Sequence, residues 1–284
     1  MEKTRILIIG SGGFISSGIE KNLKKNKEKF YLLPRKKINL LKLSQVNKLN
    51  KIIKKNDSIL FIAAKAPVKN IRMFNSNIKM LINFSKILDK NNFKKLIYLS
   101  SDAVYSDSKS KLFENSRKEP QNLHGLMHLT RENIFKNIIE RKKLLILRPT
   151  LVYGKNDPHN GYGPNKFYRN VLNNEDINIF GKGEERRDHV WVEDVAEIIS
   201  RVVDLEYIGK INITSGKIIS FSQIAEILLN LNSSSIKIKY LKRNGPMPHN
   251  GYRAFKNNKL LSIFGDFKFK NLNEWFQEEL SNEN

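Results

Sequence analysis

The stretch Arg5-Ile6-Leu7-Ile8-Ile9-Gly10-Ser11-Gly12-Gly13-Phe14-Ile15-Ser16 decides how the rest of the chain is read. Its apolar start predicts a buried strand, its glycines a tight turn, and residues 14 to about 27 a helix. Glycines at such a turn let the backbone approach a pyrophosphate, whose charge the helix N-terminus stabilises. Outward from this unit the alternation continues. Strands are predicted at 30–33, 58–63, 95–100 and 144–147. Helices are predicted at 43–55, at 72–90 and from about 124, with a Ser/Lys-rich loop at 106–119. Short apolar runs joined by amphipathic helices indicate a parallel sheet covered on both faces, an α/β doubly wound fold. Gly, Pro, Asn and His crowd the stretches 154–165 and 244–251, which read as binding loops of a small C-terminal substrate-binding subdomain. The expected division is a dinucleotide-binding domain at 1–155 and 187–230, with the substrate-binding subdomain at 156–186 and 231–284.

The composition is that of a globular chain of 284 residues, with one exception. Lys+Arg 51 against Asp+Glu 28 gives a net charge of +23. Such a field attracts polyanions. The excess is carried by 38 lysines against 13 arginines, and base-edge readers lean on arginine forks, so solvated lysine faces are expected rather than nucleic-acid binding. With no cysteine, thiolate catalysis and thiolate metal sites are excluded. No apolar run reaches membrane-helix length, and the start of the chain lacks a signal-peptide layout, so a cytoplasmic protein is expected.

The segment Gly10-Ser11-Gly12-Gly13-Phe14-Ile15-Ser16 resembles the nucleotide turn of the extended short-chain dehydrogenase/reductases, the NAD-dependent epimerases and dehydratases that act on nucleotide sugars. The resemblance implies a Rossmann domain and assigns Gly10, Gly13, Phe14 and Ile15 to the cofactor, with Ser16 in place of the third glycine. An acidic residue after the second strand would favour NAD. Here Pro34-Arg35-Lys36-Lys37 stands instead, which favours NADP over NAD through Arg35 and its neighbours. Asn39-Leu40 resembles the family's adenine-holding Asp-Leu pair. Ala63-Ala64 resembles the small residues against which the cofactor lies, and Asn77 a helix asparagine that supports the active site.

Ser100-Ser101-Asp102-Ala103-Val104-Tyr105 is similar to the family's Ser-Ser-x-x-Val-Tyr segment, which implies that Ser101, with Asp102 beside it, meets the substrate. The family then carries Tyr-x-x-x-Lys, where this chain reads His124-Gly125-Leu126-Met127-His128. A phenol near pKa 10 needs help to act as a base at neutral pH; an imidazole near 6.5 does not. His124 is therefore expected as acid/base and His128 as the ribose ligand. A metal at this i, i+4 pair is the competing reading, and it lacks an obvious third ligand.

Phe180-Gly181-Lys182-Gly183 followed by Arg187-Asp188-His189-Val190-Trp191-Val192-Glu193-Asp194 resembles the family's diphosphate-gripping segment, and the resemblance assigns that role to Arg187. A buried ion pair of Arg187 with Asp188 or Asp194 is the structural alternative. Arg253 resembles the late arginine of the phosphate clamp, and Asn165 the asparagine that meets the linked sugar. Leu151 replaces an asparagine that many relatives direct at the diphosphate. The resemblance implies an NAD(P)-dependent epimerase, dehydratase or 4-keto reductase acting on a nucleotide sugar, as a homodimer and without a metal. The alternative is a cofactor- or sugar-binding relative that has lost redox chemistry.

Overall fold

Burial explains why the apolar runs become strands: in a parallel sheet both faces are covered, so every position of Asp57–Phe61 and Lys95–Leu99 is buried. The computed structural model describes residues 4–88, 92–232 and 235–282. In chain order its strands and helices begin with β1 (Arg5–Ser11), α1 (Phe14–Lys25), β2 (Phe30–Pro34), α2 (Leu43–Val46), β3 (Asp57–Phe61) and α3 (Ile71–Leu88). They continue with β4 (Lys95–Leu99), α4 (Leu123–Ile138), β5 (Leu144–Pro149), β6 (Leu151–Tyr153), α5 (Pro164–Leu172), β7 (Ile177–Phe180) and β8 (Arg186–Trp191). The remainder are α6 (Val192–Asp204), β9 (Gly209–Ile213), β10 (Ile218–Ser220), α7 (Phe221–Leu231), β11 (Ile238–Leu241), β12 (Tyr252–Arg253), α8 (Asn258–Ile263) and α9 (Leu272–Ser281).

The chain divides into two compact units. The first comprises 1–106, 114–149 and 195–213. It holds a six-stranded parallel sheet in the order β2-β1-β3-β4-β5-β9. Chain order reverses at β1, which has β2 on one side and β3 on the other, and the glycine turn leaves the carboxyl end of β1 at this switch point. Leu7, Ile9, Ile59, Phe61 and Leu81 are among the buried side chains of its core.

The second unit comprises 107–113, 150–194 and 214–284. Its centre is β8, flanked by antiparallel β10 and parallel β12 and β6, with β7 and β11 as a separate parallel pair. Residues 187–194 and 214–230 therefore group with the second unit, not with the nucleotide-type sheet as the sequence reading has it, because β8 and β10 pair with each other. The expected helix 43–55 is also shorter: α2 ends at Val46 and a 3₁₀ turn covers Asn47–Lys51. Asparagines such as Asn47 and Asn50 are weak helix formers that favour turns, which works against a regular helix there. The last two residues of the expected helix 72–90 lie outside the described residues. No described helix is long and apolar enough to cross a membrane.

Candidate active site

At the glycine turn the backbone leaves β1 with Gly10 at φ +98°, and a Cβ there would lie 2.3 Å from the Ala63 Cα. Only glycine permits that approach. Side chains built on Gly12 and Gly13 would meet nothing within 4 Å, so this face of the turn is open. Gly13 is the N-cap of α1, whose first turn carries no acidic residue. Ser16 holds the turn from behind. Its hydroxyl accepts from the N–H groups of Gly12 (2.9 Å) and Gly13 (2.8 Å) and donates to the Gly13 carbonyl (2.8 Å). Phe14 and Ile15 follow, half-buried, as the first helical residues. An open glycine backbone at a helix N-terminus without competing carboxylates fits a dinucleotide pyrophosphate.

Around this turn, Arg35, Lys36 and Lys37 are exposed after β2, and the Lys37 Nζ lies 5.1 Å from the centre of the Tyr31 ring. The Asn39 side chain accepts from the Leu41 N–H at 3.1 Å, while buried Leu40 receives an Asn83 bond on its carbonyl. Ala63 is buried and Ala64 exposed. Asn77 is fully buried and clamps Lys65 in both directions, accepting from its N–H (2.9 Å) and donating to its carbonyl (3.0 Å).

Ser101 caps the 3₁₀ turn Asp102–Val104, its Oγ accepting from the Ala103 N–H at 3.1 Å. The hydroxyl hydrogen points toward Asp102, 3.4 Å away. α4 packs on this turn through Gly125, where a Cβ would lie 2.0 Å from the Ala103 carbonyl oxygen. That contact, and the Asn122 side chain accepting from the Gly125 N–H at 2.9 Å, fix the start of α4 beside Ser101. His124 and His128 share one face of α4, their rings edge to face with centroids 4.7 Å apart. The Val68 N–H points at His124 Nδ1 from 3.5 Å. His128 is buried, and its Nδ1 lies 2.7 Å from the Tyr98 hydroxyl. Burial, then the charges of His124 and Arg131, hold the His128 pKa well below the ordinary imidazole value. No group of three or more metal-ligating side chains occurs among the described residues.

Sequence reading missed the polar network beneath this site. Glu132 and Arg148 form a two-pronged pair with both side chains fully buried. The Arg148 Nη1 donates to the Tyr105 hydroxyl (2.6 Å), which donates to Asn212 (2.7 Å), and Ser100 donates to Glu132 (2.8 Å). Burial pushes the Tyr105 hydroxyl up to about 12. A Glu on a helix and an Arg on the next strand was the available signal. Their meeting depends on how α4 packs on β5, which spacing does not reveal.

The remaining predicted residues belong to the second unit. Arg187 pairs with Glu185 through Nε (2.9 Å) and Nη2, and Nη2 also donates to the Pro248 carbonyl (3.1 Å). The expected ion-pair partners were Asp188 or Asp194. On a strand, Asp188 faces away from Arg187, and the residue two positions back is on the same side. The Asp188 carboxylate instead accepts from Thr150, Thr214, Ser215 and Gly216 at 2.7–3.2 Å, and burial raises its pKa to about 6. Arg253, in register with Arg187 across β12 and β8, lies 3.4 Å from Asp107, which also binds His249 at 2.5 Å. Arg243 Nη1 approaches Glu185 at 3.4 Å, so three guanidiniums meet two carboxylates in this cluster. Asn165 is committed to its own loop, accepting from the Gly154 N–H (2.9 Å) and donating to Asp157 (2.8 Å).

A glycine turn at the switch point of a doubly wound parallel sheet defines a Rossmann-type dinucleotide-binding protein. The chain belongs to the NAD dependent epimerase/dehydratase family, whose profile matches residues 6–213. It is 25% identical to the UDP-N-acetyl-alpha-D-glucosaminuronate decarboxylase of Bacillus cytotoxicus, over 90% of this chain and 89% of that one. It is 24% identical to GDP-mannose 3,5-epimerase 1 of Oryza sativa subsp. indica, over 84% and 72%. Among solved structures, the UDP-N-acetylglucosamine 4-epimerase of Methanobrevibacter ruminantium shares the fold with a TM-score of 0.80 at 24% identity, covering 99% and 100%. The UDP-glucose 4-epimerase of Thermus thermophilus, solved with NAD, shares it with a TM-score of 0.81 at 18% identity, covering 96% of each chain. RMD of Pseudomonas aeruginosa, solved with NADPH, gives a TM-score of 0.83 at 17% identity, covering 99% and 98%.

Proposed function

We propose that this chain is an NAD(P)-dependent epimerase, dehydratase or 4-keto reductase of a nucleotide sugar, with His124 as its proton carrier. The observation that carries the reading is the packing of His124 and His128, 4.7 Å apart, beside Ser101 through the Gly125–Ala103 contact. The nicotinamide, when bound, accepts or returns a hydride at a sugar carbon. Ser101, whose oxygen accepts from Ala103, would turn its hydroxyl hydrogen from Asp102, 3.4 Å away, to a substrate oxygen. His124 takes or gives the proton on that oxygen, a task for which imidazole needs no neighbouring ammonium. His128 would bond the nicotinamide ribose, and Gly10, Gly13, Phe14, Ile15, Asn39, Leu40, Ala63 and Ala64 would hold the rest of the cofactor. Arg187 and Arg253 grip the diphosphate, with Asp102 and Asn165 toward the sugar. In this reading the first unit is the cofactor domain and the second the substrate domain. Arg35, Lys36 and Lys37 favour NADP. A cytoplasmic homodimer through α3, whose Ile71 and Ile82 are exposed, completes the reading.

A second reading, a ligand-binding relative without redox activity, is favoured by the loss of both Tyr and Lys and by the burial of His128. The test is absorbance of the reduced nicotinamide with a panel of nucleotide sugars. His124→Phe is expected to lower turnover by about 10²–10⁴ while both ligands still bind. Wild-type and His124→Phe proteins that bind normally and are equally silent would establish the second reading.

A further inference from the structure

In the second unit, His249 stands in a backbone that few residues adopt. It has φ +51° and ψ +34°, and Asn250 follows at φ +51° and ψ +29° before β12 begins at Tyr252. The left-handed region is uncommon outside glycine, though histidine and asparagine enter it more readily than most side chains. The turn is anchored at two points. The Pro248 carbonyl accepts from Arg187 Nη2 at 3.1 Å, and the His249 ring meets Asp107 and Arg253. Both ring contacts fall on Nδ1, which lies 2.5 Å from Asp107 Oδ1 and 3.2 Å from Arg253 Nη1. An ionised carboxylate only accepts, so the hydrogen between His249 and Asp107 is the imidazole's. A bare Nδ1 would set two lone pairs against each other across 2.5 Å. The neutral ring therefore carries its hydrogen on Nδ1 and a lone pair on Nε2.

The charges around this ring do not balance. Arg253 Nη1 lies 3.4 Å from Asp107, Arg187 pairs with Glu185, and Arg243 Nη1 lies 3.4 Å from Glu185. Burial, then the charge of Arg253, holds the His249 pKa below the ordinary imidazole value; Arg187 adds to this and Asp107 opposes it. An anion held by Arg187 and Arg253 reverses the balance by cancelling the repulsion from both guanidiniums. Its oxygens offer only acceptors, so Nε2 must gain a hydrogen before it can bond one of them.

We infer that His249 is a further ligand of the nucleotide-sugar diphosphate and takes up one proton when that diphosphate binds. The inference rests on the reading of Arg187 and Arg253 as the diphosphate grip. The proton comes from solvent and returns to it when the ligand leaves. The charged ring then spans Asp107 at Nδ1 and a phosphate oxygen at Nε2. Ligand and proton each raise the affinity for the other, so binding tightens as pH falls.

The test is titration calorimetry of the full-length protein with UDP-glucose, GDP-mannose and dTDP-glucose, each in two buffers of different ionisation enthalpy. The diphosphates of these ligands stay fully ionised from pH 6 to pH 8, so a proton taken up belongs to the protein. The tightest binder is expected to show net proton uptake at pH 7 and to bind about 10-fold more tightly at pH 6 than at pH 8. His249→Asn suits the same backbone and cannot take up a proton. It is expected to lose both the uptake and the pH dependence, and to bind at pH 6 about as the wild type does at pH 8, with an unchanged urea midpoint. Wild-type binding without proton uptake overturns the inference and leaves the nucleotide-sugar reading standing. Uptake that persists in His249→Asn also overturns it, because the proton then belongs to another group such as Asp188. Failure of all three ligands to bind refutes the nucleotide-sugar reading, and the inference with it.

Discussion

Glu132 and Arg148 meet two-pronged, Oε1 to Nε at 2.7 Å and Oε2 to Nη2 at 2.5 Å, with no solvent on either side chain. Removing one partner strands the other charge. Glu132→Gln is expected to destabilise the protein by about 3–5 kcal/mol, read as a lower urea midpoint. Glu132→Gln combined with Arg148→Met removes both charges and should recover part of that loss. Equal loss in the single and double variants would show that shape, and not charge, sets the cost.

Cofactor choice is tested at the end of β2. Arg35 is exposed, so its contact with a 2′-phosphate is screened and modest. Arg35→Ala is expected to weaken NADP binding by about 3- to 10-fold and to leave NAD binding unchanged, measured by calorimetry. Equal affinity of the wild type for the two cofactors would remove the preference for NADP.

In the second unit, Arg187→Ala leaves Glu185 with Arg243 at 3.4 Å as its remaining cation. Nucleotide-sugar affinity is expected to fall by about 2–4 kcal/mol while cofactor affinity holds. Titration calorimetry with UDP-sugars and with NADP separates the two. A lowered melting midpoint with undiminished sugar-nucleotide binding would make Arg187 a structural partner of Glu185 alone.

Asp188 gives the protein a pH signature. Its pKa is raised from 3.8 to about 6, so in this range the folded state holds the proton more tightly than the unfolded chain does. That contribution is fully present below pH 3.8 and is lost as pH rises through about 6. Asp188→Asn has no such titration. Between pH 4 and pH 7 the unfolding free energy of the variant, relative to the wild type, should therefore shift by about 2 kcal/mol in the variant's favour. Denaturant melts at the two pH values check this, and a constant difference would show that Asp188 is ionised in the fold at both.

The sequence exposed the sheet and the glycine turn because both are written locally. A run such as Arg5–Ile9 followed by three glycines needs no distant partner to be understood, and the expected strands are all present. Residues 43–55 misled because apolar spacing alone does not count the asparagines that end a helix. The partner of Arg187 was legible in principle: strand alternation puts Glu185, two residues back, on its side and turns Asp188 to the other. Nothing local announced Tyr98 and Arg131. They lie 30 and three residues from His128, and only the packing of α4 on the sheet brings all three together.

Arg131, buried three positions beyond His128 on α4, also bears on what position 128 can hold. His128→Lys would bury an ammonium beside a guanidinium that already acts electrostatically on that position. Two like charges in a low-dielectric interior repel strongly. A lysine at 128 is thus expected to be better tolerated once Arg131 has been replaced by a neutral residue. Positions 128 and 131 are therefore expected to be coupled, the cost of a substitution at one depending on the residue at the other.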